Sequence, residues 1–240
     1  MSQIKKTLFW ITLTNKCRIC GDLLECGKEL CAECEKSLPK IEDPRCKICG
    51  AGKKRCQCGK HRMRFDGITA PFYYEAGVLR GLHRLKFSEK IFMAEIFAGE
   101  MADFVKKDFK EISFDFITFV PFSGFQKRNR RYNQSELLAE ELGKKLSISV
   151  ENVLIKLFDT QVQHKTSQYR RKGNVLGVYD VNENAKVEGK TILLVDDIKT
   201  TGATLNECAK MLKIRGAEKV YCVSVAMTGK KEDDENEEND

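Results

Sequence analysis

No apolar run in the chain reaches the roughly 18 residues that a membrane-spanning helix requires, so no membrane insertion is expected. Leu8 to Leu13 follows two lysines, but it is too short for a signal-peptide core. It also lacks the small-residue cleavage site such a peptide needs. The expected location is therefore the cytoplasm. A nucleoside-triphosphate loop is missing too. Its nearest candidate, Gly189-Lys190-Thr191, has Asn184 where the first glycine of G-x-x-x-x-G-K-[ST] belongs. That absence argues against an ATPase wherever an apolar strand ends in carboxylates. Nor does any residue stand out as a general base.

Cysteine is the opposite case, with eleven in a chain of 240 residues. In a cytoplasmic protein this points to metal rather than to disulfides. Nine of them precede residue 60, and eight form four close pairs: Cys17 and Cys20, Cys31 and Cys34, Cys46 and Cys49, Cys56 and Cys58. A close pair lets two thiolates reach one tetrahedral ion. Gly21 and Gly50 follow the second cysteine of a pair and help the chain fold back. Four pairs supply ligands for one or two Zn²⁺. The sequential assignment gives Cys17, Cys20, Cys31 and Cys34 to one ion, and Cys46, Cys49, Cys56 and Cys58 to the other. This is the simplest assignment, and the spacing also admits an interleaved one. Cys26 is a substitute ligand, and His61 can replace Cys56 or Cys58. The role read here is structural, because some sixty residues of low apolar content bury little core without metal. Cys208 and Cys222 fall in helix and strand patterns and read as small core residues.

The length suits one large domain, or one domain with a small module. The chain holds 42 basic and 35 acidic side chains. Residues 230–240 carry seven of the acids and two of the lysines, and read as a solvated, disordered tail. The remainder has 40 bases against 28 acids, a surplus of twelve that suits phosphate-rich partners. The expected organisation is a zinc-binding module over 1–62, an α/β domain over 63–229 and the acidic tail.

One stretch carries most of the chemistry: Ile192-Leu193-Leu194-Val195-Asp196-Asp197-Ile198-Lys199-Thr200-Thr201-Gly202-Ala203-Thr204. Four apolar residues form a buried strand. Two carboxylates follow at its end, where they can accept hydrogen bonds from a sugar diol. A hydroxyl- and glycine-rich loop then opens a helix, and helix starts hold phosphate. Open α/β sheets bind ligands at this place. The pattern resembles the phosphoribosyl pyrophosphate (PRPP) loop of type I phosphoribosyltransferases. The resemblance implies that Asp196 and Asp197 hold the ribose hydroxyls. Lys199, Thr200, Thr201, Gly202, Ala203 and Thr204 would then surround the 5-phosphate. The competing account is a strand–turn–helix without ligand.

Elsewhere the periodicities predict strand, turn and strand over 65–75, then a helical stripe of Val78, Leu82 and Leu85. An amphipathic helix follows over 91–105 and a buried strand over 114–120. A helix over 134–146 is capped by Asn133. Strands are expected over 153–158, 175–181, 191–195 and 219–226, with a helix over 203–215 closed by Gly216. Strands alternating with helices imply a mostly parallel sheet flanked by helices.

Between Val120 and Ser135 runs a basic segment with Lys127, Arg128, Arg130 and Arg131. Such a segment can grip a pyrophosphate, although a solvated surface turn would read the same way. The cysteine pairs, Leu85-Lys86-Phe87, Arg131-Tyr132-Asn133-Gln134-Ser135, Thr160-x-x-Gln163 with Arg171-x-x-Asn174, and the acidic loop together resemble the ComF family. These are competence-associated, phosphoribosyltransferase-like proteins. The resemblance spans about residues 17 to 227. The chain departs from the family in having Arg131 and Tyr132 where Gly-Phe is usual, and Gln126 where an arginine is common. The lost glycine bears on the backbone of that loop.

The resemblance implies a type I phosphoribosyltransferase-like fold with an amino-terminal zinc module, and PRPP bound with Mg²⁺. Residues 161–172 correspond to the hood that closes over the acceptor in related transferases. Lys86, Arg128, Arg130, Arg131 and Arg171 would face pyrophosphate or nucleic acid, a surface suited to single-stranded DNA. The family association is with DNA uptake beside a helicase-like partner. Three functions follow: a transferase acting on a nitrogen acceptor, a PRPP- and DNA-binding protein, or a zinc-stabilised interaction protein with a vestigial site.

Overall fold

Successive residues of a strand point to opposite faces. In the strands over Phe116–Phe119, Thr191–Lys199 and Lys219–Met227 both faces are largely buried, the pattern of a sheet covered on both sides. The structure, a computed structural model, describes residues 15–17, 19, 23–24, 28, 30–46, 48–56, 63–87, 92–122, 132–157 and 178–229. In chain order the elements are β1 (Asn15–Lys16), β2 (Leu23–Leu24), α1 (Ala32–Lys36), a 3₁₀ turn (Lys53–Arg55), β3 (Gly67–Thr69) and β4 (Phe72–Tyr73). There follow α2 (Ala76–Phe87), α3 (Phe92–Asp108), β5 (Phe116–Phe119), α4 (Gln134–Leu146), β6 (Leu154–Lys156) and β7 (Tyr179–Val181). The last three are β8 (Thr191–Lys199), α5 (Ala203–Ile214) and β9 (Lys219–Met227).

The central sheet has the order β3-β9-β8-β5, with β4 also on β9, and every pairing in it is parallel. β6 and β7 pair antiparallel, as do β1 and β2. Alternation along β8 divides the core. Leu193 and Val195 join Ile117, Phe119, Val223 and Val225 beneath α2, α3 and α4. Ile192 and Leu194 join Phe116, Val220 and Cys222 beneath α5 and the β6–β7 pair. Leu193 is fully buried, and its truncation to alanine would cost about 2–5 kcal/mol. No helix among the described residues is long and apolar enough to cross a membrane.

Local chemistry sets the element ends. Asn133 caps α4, its Oδ1 accepting from Ser135 N at 3.1 Å. Glu136 sits in the first turn, where a negative charge meets the positive end of the helix dipole. At the other end Gly143 allows a close approach, since a Cβ there would lie 2.8 Å from the Ile148 carbonyl oxygen.

The cysteine-rich segment is fastened to the sheet and to α3. Cys17, Ile19 and Cys34 join the α2–α3 side of the core. Ile41, Cys49 and Ala51 pack on Ala70, Tyr73 and Met227. Arg45 forks onto Asp108 with contacts of 2.6 and 2.5 Å, and Thr69 donates to the same carboxylate. Lys107 and Arg45 together draw the Asp43 carboxyl down to about 2.

Expected boundaries shift by a few residues, as where α3 runs on to Asp108, and the shift that bears on the site is in β8. The strand read as 191–195 continues to Lys199. β9 keeps pairing with it there, through Asp196↔Ser224, Ile198↔Ala226 and Lys199↔Met227. The composition of 196–199 is polar and gives no strand signal, so the pairing decides.

Candidate phosphoribosyl site and cysteine clusters

The site is built where β8 loses a neighbour. β5 pairs with β8 only as far as Phe119↔Val195. Asp196 and Asp197 come next, at the carboxyl edge where parallel sheets bind ligands. Asp196 is only 8% exposed. Its Oδ1 accepts from Ser135 Oγ at 3.0 Å and from the backbone N–H of Asp197 at 2.9 Å. Burial pushes the Asp196 carboxyl well above the usual range, and the adjoining Asp197 carboxyl adds to the push. The hydrogen bonds from Asp197 N–H and Ser135 oppose it. Asp197 is half-buried.

Ser135 belongs to a brace. Asn133 Nδ2 donates to the Val120 carbonyl at 2.9 Å, and the Tyr132 hydroxyl donates to the Leu85 carbonyl on α2. The Tyr132-Asn133-Gln134-Ser135 motif therefore ties α2, the end of β5 and the Asp196 carboxylate together. The sequence suggested an anion grip for this segment and missed the brace. Asn133, Gln134 and Ser135 are all buried, and a polar run of that kind at a helix start was the available signal.

Beyond the diacid the chain turns through Thr200 and Thr201 into Gly202, whose φ of 82° is left-handed and suits glycine. Gly202 is the N-cap of α5 and has no side chain of its own to cap it. The Thr201 hydroxyl accepts from Ala203 N at 3.3 Å. The positive end of the α5 dipole thus opens on the same edge as the diacid. The Lys199 stem lies beneath the turn, its Cε 3.4 Å from where a Cβ on Gly202 would sit, and the residue is 7% exposed. Tyr179 lines the buried side. Burial, followed by Cys208 and Asp196, pushes its phenol up, and the Thr204 side chain offsets part of this. Sequence reading did not identify Tyr179. Cys208 and Cys222 are buried in the same layer, and burial holds both thiols neutral.

Arg128, Arg130, Arg131 and Arg171 lie outside the described residues, as do the hood at 161–172 and the acidic tail. Lys86 closes α2 in the backbone, and its side chain is likewise outside them.

The cysteines gather in two groups that follow chain order. The Sγ atoms of Cys17, Cys31 and Cys34 all lie within 4.8 Å of one another, as do those of Cys46, Cys49 and Cys56. Tetrahedral zinc with Zn–S near 2.3 Å holds its sulfurs about 3.8 Å apart. The 3.5 Å separation of Cys49 and Cys56 is already close to that. Backbone N–H groups support the sulfurs, Cys31 N donating to Cys17 Sγ at 3.4 Å and Cys34 N to Cys31 Sγ at 3.3 Å. Each group can hold a metal ion. Burial pushes the Cys49 thiol up, and Cys56 and Cys46 beside it add to this. A bound cation would reverse that balance. Cys20, Cys26, Cys58 and His61 lie outside the described residues.

The parallel sheet with helices on both faces, and a diacid leading into a glycine turn at its carboxyl edge, define a type I phosphoribosyltransferase-like α/β protein. The family model described as "Phosphoribosyl transferase domain" matches residues 132–240, from the brace through the diacid loop. Competence protein F of Haemophilus influenzae is 27% identical over 223 residues, covering 88% of this chain and 96% of its own. Competence protein ComFC of Streptococcus pneumoniae is 27% identical over 201 residues, covering 82% and 86%. Competence protein ComFC of Bacillus subtilis is 26% identical over 204 residues, covering 81% and 82%. Likeness along most of each chain supports the place of this one in the ComF family.

Proposed function

We propose that the chain binds PRPP with Mg²⁺ and holds single-stranded DNA beside it, serving DNA uptake in the cytoplasm with a helicase-like partner. Asp196 and Asp197 take the ribose 2- and 3-hydroxyls. The turn from Thr200 to Thr204, with Lys199 beneath it, takes the 5-phosphate. Lys86, Arg128, Arg130, Arg131 and Arg171 provide positive charge for the pyrophosphate and the strand. Mg²⁺, when bound, balances the pyrophosphate charge. Zinc in the two cysteine clusters has a structural role.

The observation that carries this reading is the burial of Asp196 with its bond from Ser135. Burying a carboxyl at a sheet edge costs stability, and a diol ligand gives that position a use. The competence names of the relatives support the DNA part.

Calorimetric titration of PRPP and Mg²⁺ into the zinc-loaded protein, beside Asp196→Asn/Asp197→Asn, tests the site. Saturable binding lost in the double variant is expected; no binding by the folded protein would refute it. Steep salt dependence of single-stranded DNA affinity is the second expected result. Pyrophosphate release with a nitrogen acceptor, unaffected by DNA, would instead favour an active transferase.

A further inference from the structure

The second cysteine cluster and the phosphate turn are joined by three residues at the end of β9. Met227 is fully buried and packs with Cys49, Ala51 and Tyr73. A Cβ on Gly50 would lie 2.8 Å from the Ile68 carbonyl oxygen and 2.9 Å from Met227 Cε; the backbone contact leaves room only for glycine, and Met227 packs into the space so kept. Gly50 has φ of 75° and donates to the Cys46 carbonyl at 2.8 Å, so the shape that admits Met227 is set by the cluster itself. On its other side Met227 pairs with Lys199.

The next two residues complete the link. Thr228 N donates to the Lys199 carbonyl at 3.0 Å, and its hydroxyl to the Thr200 carbonyl at 3.3 Å. Gly229 is pressed against Tyr73 and Arg55, where a Cβ would come within 2.9 and 3.1 Å. Tyr73 and Arg55 are themselves fixed by the knuckle. The Tyr73 hydroxyl accepts from Gly52 N at 3.0 Å, and the Arg55 guanidinium lies 3.9 Å over the Tyr73 ring. Arg55 directly precedes Cys56, a member of the cluster.

We infer that the second cysteine cluster positions the phosphate turn through Met227, Thr228 and Gly229, so that metal in the cluster and anion at the turn strengthen each other's binding. The inference rests on the PRPP reading above for the identity of the anion. Thr228 is the positioning residue, because its N–H and its hydroxyl both bond to the backbone that opens the turn. Without metal, Gly50 to Gly52 lose their fixed form, Met227 loses its seat, and Lys199 and Thr200 lose their anchor. Linkage makes the effect reciprocal: an anion that holds the turn holds the cluster.

Two measurements test this on the full chain. The first is hydrogen exchange of wild type and Cys56→Ser, which empties the second cluster. Exchange over residues 197–206 should quicken at least several-fold, while α3 stays protected. Unchanged exchange at 197–206 would overturn the inference. The second needs no cysteine substitution, and decides the matter should Cys56→Ser not fold. Zinc transfer to a coloured chelator is timed with and without PRPP and Mg²⁺, in wild type and in Thr228→Val loaded with full zinc. PRPP should slow release of one zinc about fivefold or more in wild type, and the slowing should vanish in Thr228→Val. Equal rates with PRPP shown calorimetrically to be bound would overturn the coupling alone. Absence of any PRPP binding would overturn the reading of the site, and the exchange result would then decide the coupling by itself.

Discussion

The hydroxyl of Ser135 donates to Oδ1 of Asp196 across 3.0 Å, joining the first turn of α4 to the end of β8. The two residues are 61 apart in sequence, so this bond forms only when the sheet and the helix layer have met. Ser135→Ala would leave a buried carboxyl short of a donor. The expected cost is about 1–3 kcal/mol, read by urea unfolding. PRPP affinity should fall in the same variant. Unchanged stability and affinity would show that the bond has no part in either.

Asp196 also sets a pH dependence. Its carboxyl is raised in the folded chain by burial first and by Asp197 second. The folded state therefore keeps a proton that the unfolded state releases above about pH 4. The stability from this group is fully present below that pH and is lost as pH rises through the folded value. Asp196→Asn removes the dependence. The variant should melt higher than wild type at pH 7.5, with the gap closing toward pH 4, and it should not bind PRPP. Parallel melting curves across that range would contradict the account.

Gly202 and Gly189 provide a matched pair. Both have left-handed φ, 82° and 68°. A Cβ on Gly202 would make only an ordinary contact with Lys199, and one on Gly189 would meet nothing within 4 Å. Alanine at either should therefore cost about 1–2 kcal/mol through backbone strain alone. Only Gly202→Ala should also weaken PRPP binding, because only Gly202 opens the phosphate turn. Equal affinity losses in the two would remove the turn from the site.

Metal content gives a further prediction. The full chain should hold two zinc ions, and Cys58→Ser and Cys20→Ser should each lose one. Total zinc by atomic emission and thermal melting check this. Loss at the first cluster should lower the melting temperature more, since Cys17 and Cys34 belong to the main core beneath α2 and α3.

Much of the layout was legible because it is local. The strand Ile192 to Val195, the helix from Gln134 to Leu146 and the stripe of Val78, Leu82 and Leu85 follow from periodicity and caps. The diacid and the glycine turn follow from their order along the chain. What the sequence could not tell depends on distant partners. Lys199 is in a strand because Met227 pairs with it. Tyr132 and Ser135 read as part of a cationic loop, yet their side chains bond Leu85 and Asp196. Tyr179 comes to the site from a short strand with no motif around it.

Ala70, Tyr73 and Met227 lie under a roof of Ile41, Cys49 and Ala51. Trimming the protein to its transferase half would lift that roof and bare a strip of apolar surface beside the sheet. Exposed strips of this sort make fragments self-associate. A trimmed fragment that precipitates, or that fails to bind ligand, would be reporting on a missing cover rather than on the acids and threonines at the far end of β8.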